Sequence, residues 1–359
     1  MNDGAKMGSP GGAVNETGVE IRKRTTGKKQ QYQLSVVVIG RNEGKRLPGL
    51  FSSLPAGNDI EWIYVDSYST DDSVNTALEC GAKVYRVEKD CVYGPGTGRY
   101  IGTKEASGCW VLYLDGDMIL RQEFAAFIER LKSERNLPPA TAGFVGRTCN
   151  RYIDQHGSIV SARDYVVLSQ REMGPAEDWG RPVFYHGGAV LYLRQSVLET
   201  GSWNPAVYQL EEIDLYSRVR ALGGILRAVD LPMADHYTPD LSLGEKIKLN
   251  FLPRYRGKNL YGAGQVVAAR FRAGSLLSFI RFYPYPFVVL SGLLLAPPLY
   301  MLQPGLALLL NLVIAAWIAV TKKSYYYLVY LGNLLQIFRG LGRYRPREPR
   351  YRRIAAPDK

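Results

Sequence analysis

Two aspartates separated by a single glycine, Asp115-Gly116-Asp117, end an apolar run that opens with Val111-Leu112-Tyr113-Leu114. Like charges this close repel, and a divalent cation lying between them relieves the repulsion. Mg2+ or Mn2+ prefers such oxygen ligands, with substrate phosphates completing the shell. An ordinary Asp-Gly turn has the same letters. Here the context differs: Arg41-Asn42-Glu43 follows the run LSVVVIG at 34–40, and Asp66 closes IEWIYVD at 60–66. Each polar group stands directly after a short, β-branched, strand-like run.

Those runs belong to a pattern. Strand-like stretches at 34–40, 60–66, 82–88 and 109–115 alternate with helix-like stretches at 43–54, 71–81 and 99–108. Such alternation predicts βαβ units and a parallel sheet. Ligands of these sheets lie just beyond the carboxyl ends of the strands. Glu43, Asp66, Asp115 and Asp117 therefore converge on one acidic crevice, and Gly116 would let the backbone approach a ligand closely.

A second set of carboxylates lies further on. Ile213, Leu215, Val219 and Leu222, with a glycine at the end, predict a helix over 211–223. Glu211 and Glu212 fall in its first turn, where the helix dipole favours negative charge. Asp214 and Arg218 form an ordinary i,i+4 pair. Glu177-Asp178 is another acidic pair, and His236 follows a strand-like run at 230–235; His156 has no supporting pattern.

The chain has 359 residues, with Lys+Arg 45 against Asp+Glu 33 and a net charge of +12. That balance favours anionic partners such as phosphates or acidic lipid headgroups. Cys80, Cys91, Cys109 and Cys149 lack metal-type spacing and read as reduced thiols of a cytosolic domain. Residues 1–33 are polar and basic without an apolar leader, which predicts a disordered arm.

The last third changes character. Residues 241–282 mix basic and apolar side chains, as interfacial helices on anionic lipid do. Two uncharged apolar stretches follow, 285–302 and 304–320, separated by Gln303 and opening into Pro304-Gly305. Both are near the lower limit of roughly 17–25 residues for a membrane span. They predict a transmembrane helical hairpin within 283–321, although a re-entrant pair that does not fully cross fits the lengths too. Arg281 and Lys322-Lys323 flank it, placing both ends in the cytoplasm. Residues 322–359 read as an interfacial segment with a polybasic tail at 339–353. The basic excess lies near these apolar stretches, which argues against nucleic acid as partner.

Taken in order, VVVIGRNEGKRL (36–47), VDSYSTDDS (65–73), GRYIGTKEASGCWVLYLDGDM (98–118), HGGAVLYLRQSVLETGSWNP (186–205), EEIDLYSRVRALGG (211–224) and DLPMADHY (230–237) resemble the motifs of glycosyltransferase family 2. The resemblance covers about 34–240 and implies an α/β, Rossmann-like GT-A fold and inverting transfer from a nucleoside-diphosphate sugar, a UDP-sugar being favoured. It implies Mg2+ or Mn2+ held by Asp115, Asp117 and His236, and a nucleotide-sugar site formed by Arg41, Asn42, Glu43, Asp66, Ser69, Arg99, Asp115 and Gly116. It places an acceptor beside Gly187, Gly188 and Ala189. Glu212, next to Glu211, falls where the family carries a catalytic aspartate, a departure of one methylene; Asp178 is the second choice for that base. With the membrane segments, the acceptor would be a lipid-linked or growing glycan at the cytoplasmic face of the cell membrane, and export of a long product would call for a partner or an oligomer. Two other readings stay open: transfer to a polyprenyl phosphate, which needs no base, and a silent nucleotide-sugar-binding scaffold.

Overall fold

A computed structural model describes residues 32–91, 94–134, 136–165, 173–183, 187–242, 244–245, 248, 262–321, 336–346 and 348–355. The expected arm, most of the basic stretch before residue 262, His186 and the tyrosine-rich segment after residue 321 lie outside these residues.

Four parallel strands form as the pattern predicts: β1 (Leu34–Gly40), β2 (Ile60–Asp66), β3 (Lys83–Val87) and β4 (Trp110–Asp115). Between them run α1 (Leu47–Ser53), α2 (Ser73–Glu79) and α3 (Pro95–Glu105). Both faces of the sheet are buried, as expected of parallel strands carrying helices. Val36 and Val38 point into one apolar layer, while Val37 and Ile39 point into the other. Helix α4 (Gln122–Ser133) lays Phe124, Phe127, Ile128 and Leu131 on the first layer at i, i+3, i+4 and i+7.

Further strands extend the sheet: β5 (Met118–Leu120), β6 (Thr141–Ile153), β7 (Ile159–Tyr165), β8 (Arg181–Val183), β9 (Val190–Leu193) and β10 (Ile225–Pro239). With β11 (Tyr351–Ile354) at one edge, the order is β11-β3-β2-β1-β4-β9-β6-β10-β5, with β7 on β6 and β8 on β10. Two helices, α5 (Arg194–Glu199) and α6 (Glu211–Ala221), pack on one face. Strand β11 (Tyr351–Ile354) corrects the expected polybasic tail: it pairs antiparallel with β3 as the sheet's edge strand. There Arg350 pairs with Glu88 and Asp90.

Part of the segment expected at a lipid surface is buried. Helix α7 (Gly262–Arg272) buries every residue from Gly262 to Ala269. It packs against the short turn at 341–343, and α8 (Leu276–Phe282) packs on α6 and α7. Two antiparallel helices follow, α9 (Tyr285–Leu302) and α10 (Pro304–Thr321). Each has 18 residues. At 1.5 Å per residue that is about 27 Å, against a hydrocarbon core of roughly 30 Å. No helix among the described residues is long and apolar enough to cross a membrane.

Candidate active site

Strand register brings the predicted carboxylates together. Gly40 pairs with Asp66 and Ile39 with Asp115, so the ends of β1, β2 and β4 lie side by side. On the far side β5 and β10 align Met118 with His236, and the amide of Tyr237 donates to the Asp117 carbonyl. His236 Nε2 thereby comes to 3.4 Å from Asp117 Oδ2. Register along β6 then sets Asn150 beside His236, where His236 Nδ1 donates to Asn150 Oδ1 at 3.1 Å. That bond directs Nε2 toward the carboxylates. Burial works against the imidazolium, but Asp117, Asp115 and Glu43 outweigh it and raise the His236 pKa.

The donor set suits a hard divalent cation. Asp117 Oδ1 is buried and has no hydrogen-bond partner, an arrangement that costs energy unless a cation or donor meets it. No group of three or more His, Cys, Asp or Glu among the described residues could hold an ion alone. Asp117 and His236 would thus supply part of a shell that phosphate oxygens complete, the usual manner of Mg2+ and Mn2+.

Arg99 is the main correction to the sequence reading. Expected near the opening of a helix and on phosphate, it sits midway along α3 with its side chain 1% exposed. Its Nη2 donates to Asp115 Oδ1 at 2.8 Å, and its Nη1 donates to Glu211 Oε1 at 2.7 Å and lies 3.5 Å from Glu212 Oε1. Trp203 covers the guanidinium at 5.1 Å. Glycines make this closeness feasible. A Cβ on Gly102 would fall 2.2 Å from Val37 Cγ1, so α3 rides directly on β1; one on Gly188 would fall 2.5 Å from Asp115 Oδ2.

A single guanidinium facing Asp115, Glu211 and Glu212 cannot neutralise them all. Burial first, then the neighbouring Glu212, pushes Glu211 up to about 8. Glu212 is raised as well, by burial against the pull of Arg99. Of the two, Glu211 is nearly enclosed, while Glu212 keeps 19% of its side chain open. Glu212 is therefore the more accessible of the two, and Glu211 holds Arg99.

The loops after β1 and β2 bind each other more than they await a ligand. Asp66 is fully buried; it accepts from the Ser69 amide and lies 3.3 Å from Arg86 Nε. Ser69 Oγ accepts from the Asn42 amide, and Asn42 Oδ1 accepts from the Thr70 amide at 2.8 Å. Asp66, Ser69 and Asn42 thus tie this loop together. Arg86 lies over the Tyr68 ring at 4.8 Å and donates to the Ser69 carbonyl, holding that loop from beneath. Asn42, Tyr68 and Leu210 adopt left-handed backbone, φ 62–65°, at turns bordering the crevice.

Glu43 stays at the rim, bonded to Arg46 at 3.0 Å, with its pKa raised by burial and by Asp117. Gly116 lies close against Glu43: a Cβ there would fall 2.9 Å from Glu43 Cγ. Arg41 is exposed beside it. Ala189 departs from its expected acceptor role, being buried in the core at the entry to β9, while Gly188 borders Asp115. Asp178 is excluded from the crevice. Its turn is anchored by the Gly174 amide on the Ala228 carbonyl, which pairs with Val145 of β6, five residues and so about 17 Å from Asn150 beside His236. Arg86, Asn150 and Trp203 were missed, and no local pattern marks them.

Residues 35–199, somewhat under half of the chain, match the family described as Glycosyl transferase family 2. A 4,4'-diaponeurosporenoate glycosyltransferase of Staphylococcus haemolyticus is 34% identical over 108 residues, 29% of this chain and 28% of that protein. An uncharacterised glycosyltransferase of Rickettsia typhi is 36% identical over 109 residues, 29% of this chain and 34% of its own length. The chain thus spans about a third or less of the curated relatives it matches. Among solved structures, the mannosyltransferase PcManGT of Pyrobaculum calidifontis, in complex with GDP-Man and Mn2+, aligns with TM-score 0.50 at 16% identity over 86% of this chain and 87% of that one. That likeness is one of fold, and the mixed sheet fits the Rossmann-like GT-A architecture. By the family match, the segment 35–199 is similar to glycosyltransferase domains.

Proposed function

We propose that this chain is an inverting family 2 glycosyltransferase that moves a sugar from a nucleoside-diphosphate sugar, a UDP-sugar by preference, to a lipid-linked or glycan acceptor at the cytoplasmic face of a membrane. The observation that carries the reading is the Arg99 junction, which draws donor-side Asp115 and acceptor-side Glu211 and Glu212 onto one guanidinium. A transferase needs its leaving-group site and its base fixed relative to each other, since in-line attack tolerates little misplacement.

In this mechanism the loops tied by Asp66, Asn42 and Arg86 receive the nucleoside. Asp115, Asp117 and His236 would hold Mg2+ or Mn2+, which supplies charge neutralisation to the departing diphosphate. Glu212 accepts the proton of the acceptor hydroxyl as its oxygen bonds to the anomeric carbon. The sugar–phosphate bond breaks on the opposite face, its electron pair leaving with the nucleoside diphosphate, so configuration inverts. A carboxyl with a raised pKa suits a general base, being a stronger proton acceptor than an ordinary glutamate.

Support for the membrane comes from the hairpin's seat. Val289 of α9 and Ile314 of α10 share one apolar cluster with Ile213, the residue after Glu212. An acceptor carried by lipid would therefore arrive beside the helix that bears the base.

The test is transfer and donor hydrolysis by purified protein with a panel of UDP-, GDP- and dTDP-sugars and Mg2+ or Mn2+. Metal-dependent turnover lost in both Asp117→Ala and Glu212→Gln is the expected result. Loss in Asp117→Ala alone would replace it with transfer to a polyprenyl phosphate, whose anionic oxygen needs no base. Nucleotide binding without turnover on any donor and acceptor would leave a scaffold.

A further inference from the structure

The hairpin of α9 and α10 is only half free. Near its base, Val289 and Ile314 are buried against α6, α7 and α8, together with Val207, Val266 and Phe279. Beyond Gly292 the character changes. Leu294 and Leu295 are 65% and 51% exposed, Met301 and Leu302 85% and 79%, and Leu306 and Leu308 47% and 64%. From Gly292 to the turn at Gln303 is about ten residues, which reaches roughly 15 Å beyond the protein body at 1.5 Å per residue. A hydrocarbon core is roughly 30 Å thick, so such an arm ends near its midplane.

Several features fit an apolar medium rather than water. Residues 282–321 carry no charge. The hairpin's interior polar side chains satisfy themselves within their helices: Ser291 Oγ donates to the Val288 carbonyl at 2.8 Å, and Asn311 Nδ2 to the Ala307 carbonyl at 3.0 Å. At the turn, Pro304 lacks an amide hydrogen, and the amides of Leu306 and Ala307 bond to the Gln303 carbonyl. Such internal satisfaction is what lipid demands of a backbone. Gly292 sets the two helices close together, since its Cβ would fall 2.6 Å from Ile314 Cδ1.

Around the base the surface is cationic and partly apolar. Arg272, Arg281, Arg339 and Arg345 are exposed, beside Phe271 at 71% and Leu277 at 83% exposure. Between Glu245 and Glu348 the sequence contains no aspartate or glutamate. A stretch of that length without one acid, enclosing an uncharged hairpin, matches the anionic headgroups above a hydrocarbon layer. Both ends of the hairpin return to the same body, through α7 and α8 before it and through strand β11 after it.

From these observations we infer that the hairpin is a one-leaflet anchor: it dips from the catalytic side to about the bilayer midplane, its collar of arginines on anionic headgroups, and does not emerge on the far side. This rests on the membrane reading above and sharpens it, because a one-leaflet anchor holds the α6 terminus at a fixed height over the headgroups from which a lipid-borne acceptor is presented.

The test uses the full chain with Gln303→Cys in sealed vesicles of phosphatidylcholine and phosphatidylglycerol, the catalytic domain outside. A membrane-impermeant maleimide trapped in the lumen meets only what emerges there, so the native cysteines do not interfere. The expected result is stable flotation with the vesicles and no lumenal labelling of Cys at position 303, together with extra tryptophan quenching in Met301→Trp by lipids brominated near the chain ends. Lumenal labelling would overturn the one-leaflet inference while leaving the membrane reading intact. Failure to float with vesicles, with or without formation of a dimer that shields the tip, would overturn both.

Discussion

Two buried carboxylate sites sit at opposite ends of the same parallel strands, and their chemistry diverges. At the amino ends Glu61 accepts from Ser35 Oγ at 2.6 Å, from the amide and hydroxyl of Ser107 at 2.7 and 2.8 Å, and from Lys83 Nζ at 2.6 Å. Burial alone would raise its pKa, yet these donors together lower it. At the carboxyl ends Asp115, Glu211 and Glu212 share Arg99, and both glutamates are raised. A buried charge with a full set of donors holds structure in place. One that is short of donors has capacity left for a proton or a ligand.

That contrast can be broken, and the sharpest attempt is Arg99→Met. Removing the shared partner of a buried ionic cluster costs about 3–5 kcal/mol, so the melting temperature should fall and transfer should vanish. Arg99→Lys should recover stability in part but not transfer, because one ammonium cannot fork to carboxylates on two elements. Equal activity of the lysine variant and the parent would contradict the junction.

Glu212→Gln should lower kcat by roughly 10²–10⁴ while leaving stability and donor KM nearly unchanged. The sign of the pH dependence follows from the raised carboxyl. The base works only when deprotonated, so kcat falls as pH drops through a value above the ordinary 4.5, and that limb is absent in the variant. A donor KM that moves in parallel with kcat would assign Glu212 to binding instead.

Glu61→Gln makes the opposite prediction. Loss of charged hydrogen bonds should destabilise by about 2 kcal/mol, read by denaturant titration, with kcat unaltered. A selective loss of kcat would erase the distinction between the two ends of the sheet. Asn150→Ala is milder: freeing His236 Nδ1 should weaken apparent Mn2+ affinity roughly tenfold at saturating donor. Smallest of all, Arg350→Ala removes wholly exposed ion pairs at the β11 edge and should leave both melting and transfer unchanged.

Much of this molecule was legible before any coordinates. The runs ending at Gly40, Asp66 and Asp115 are strands because β-branched and aromatic residues fill them and polar turns stop them. Helix α6 begins at Glu211 as the apolar spacing predicted. Those are local properties, as is the uncharged length of α9 and α10. Residue type and position after a strand were likewise enough to bring Asp115 and Asp117 forward as candidates, while Glu212 came forward through the family resemblance.

Roles were another matter, because they depend on partners distant in the chain. The resemblance puts Arg99 on the nucleotide sugar, whereas Asp115 and Glu211, 16 and 112 positions away, close on it. Asp66 looks like a free ligand until Arg86 and Ser69 bury it. The tail 339–353 looks like a loose basic strip until β3 offers an unpaired edge for Tyr351–Ile354. Chain pattern determines which backbone forms and which side chains can ionise, because those energies are set within a few residues. Whether an ionised group is satisfied, and so whether it supports the fold or does chemistry, depends on long-range packing that decides how many donors reach it. Only the tertiary structure supplies that.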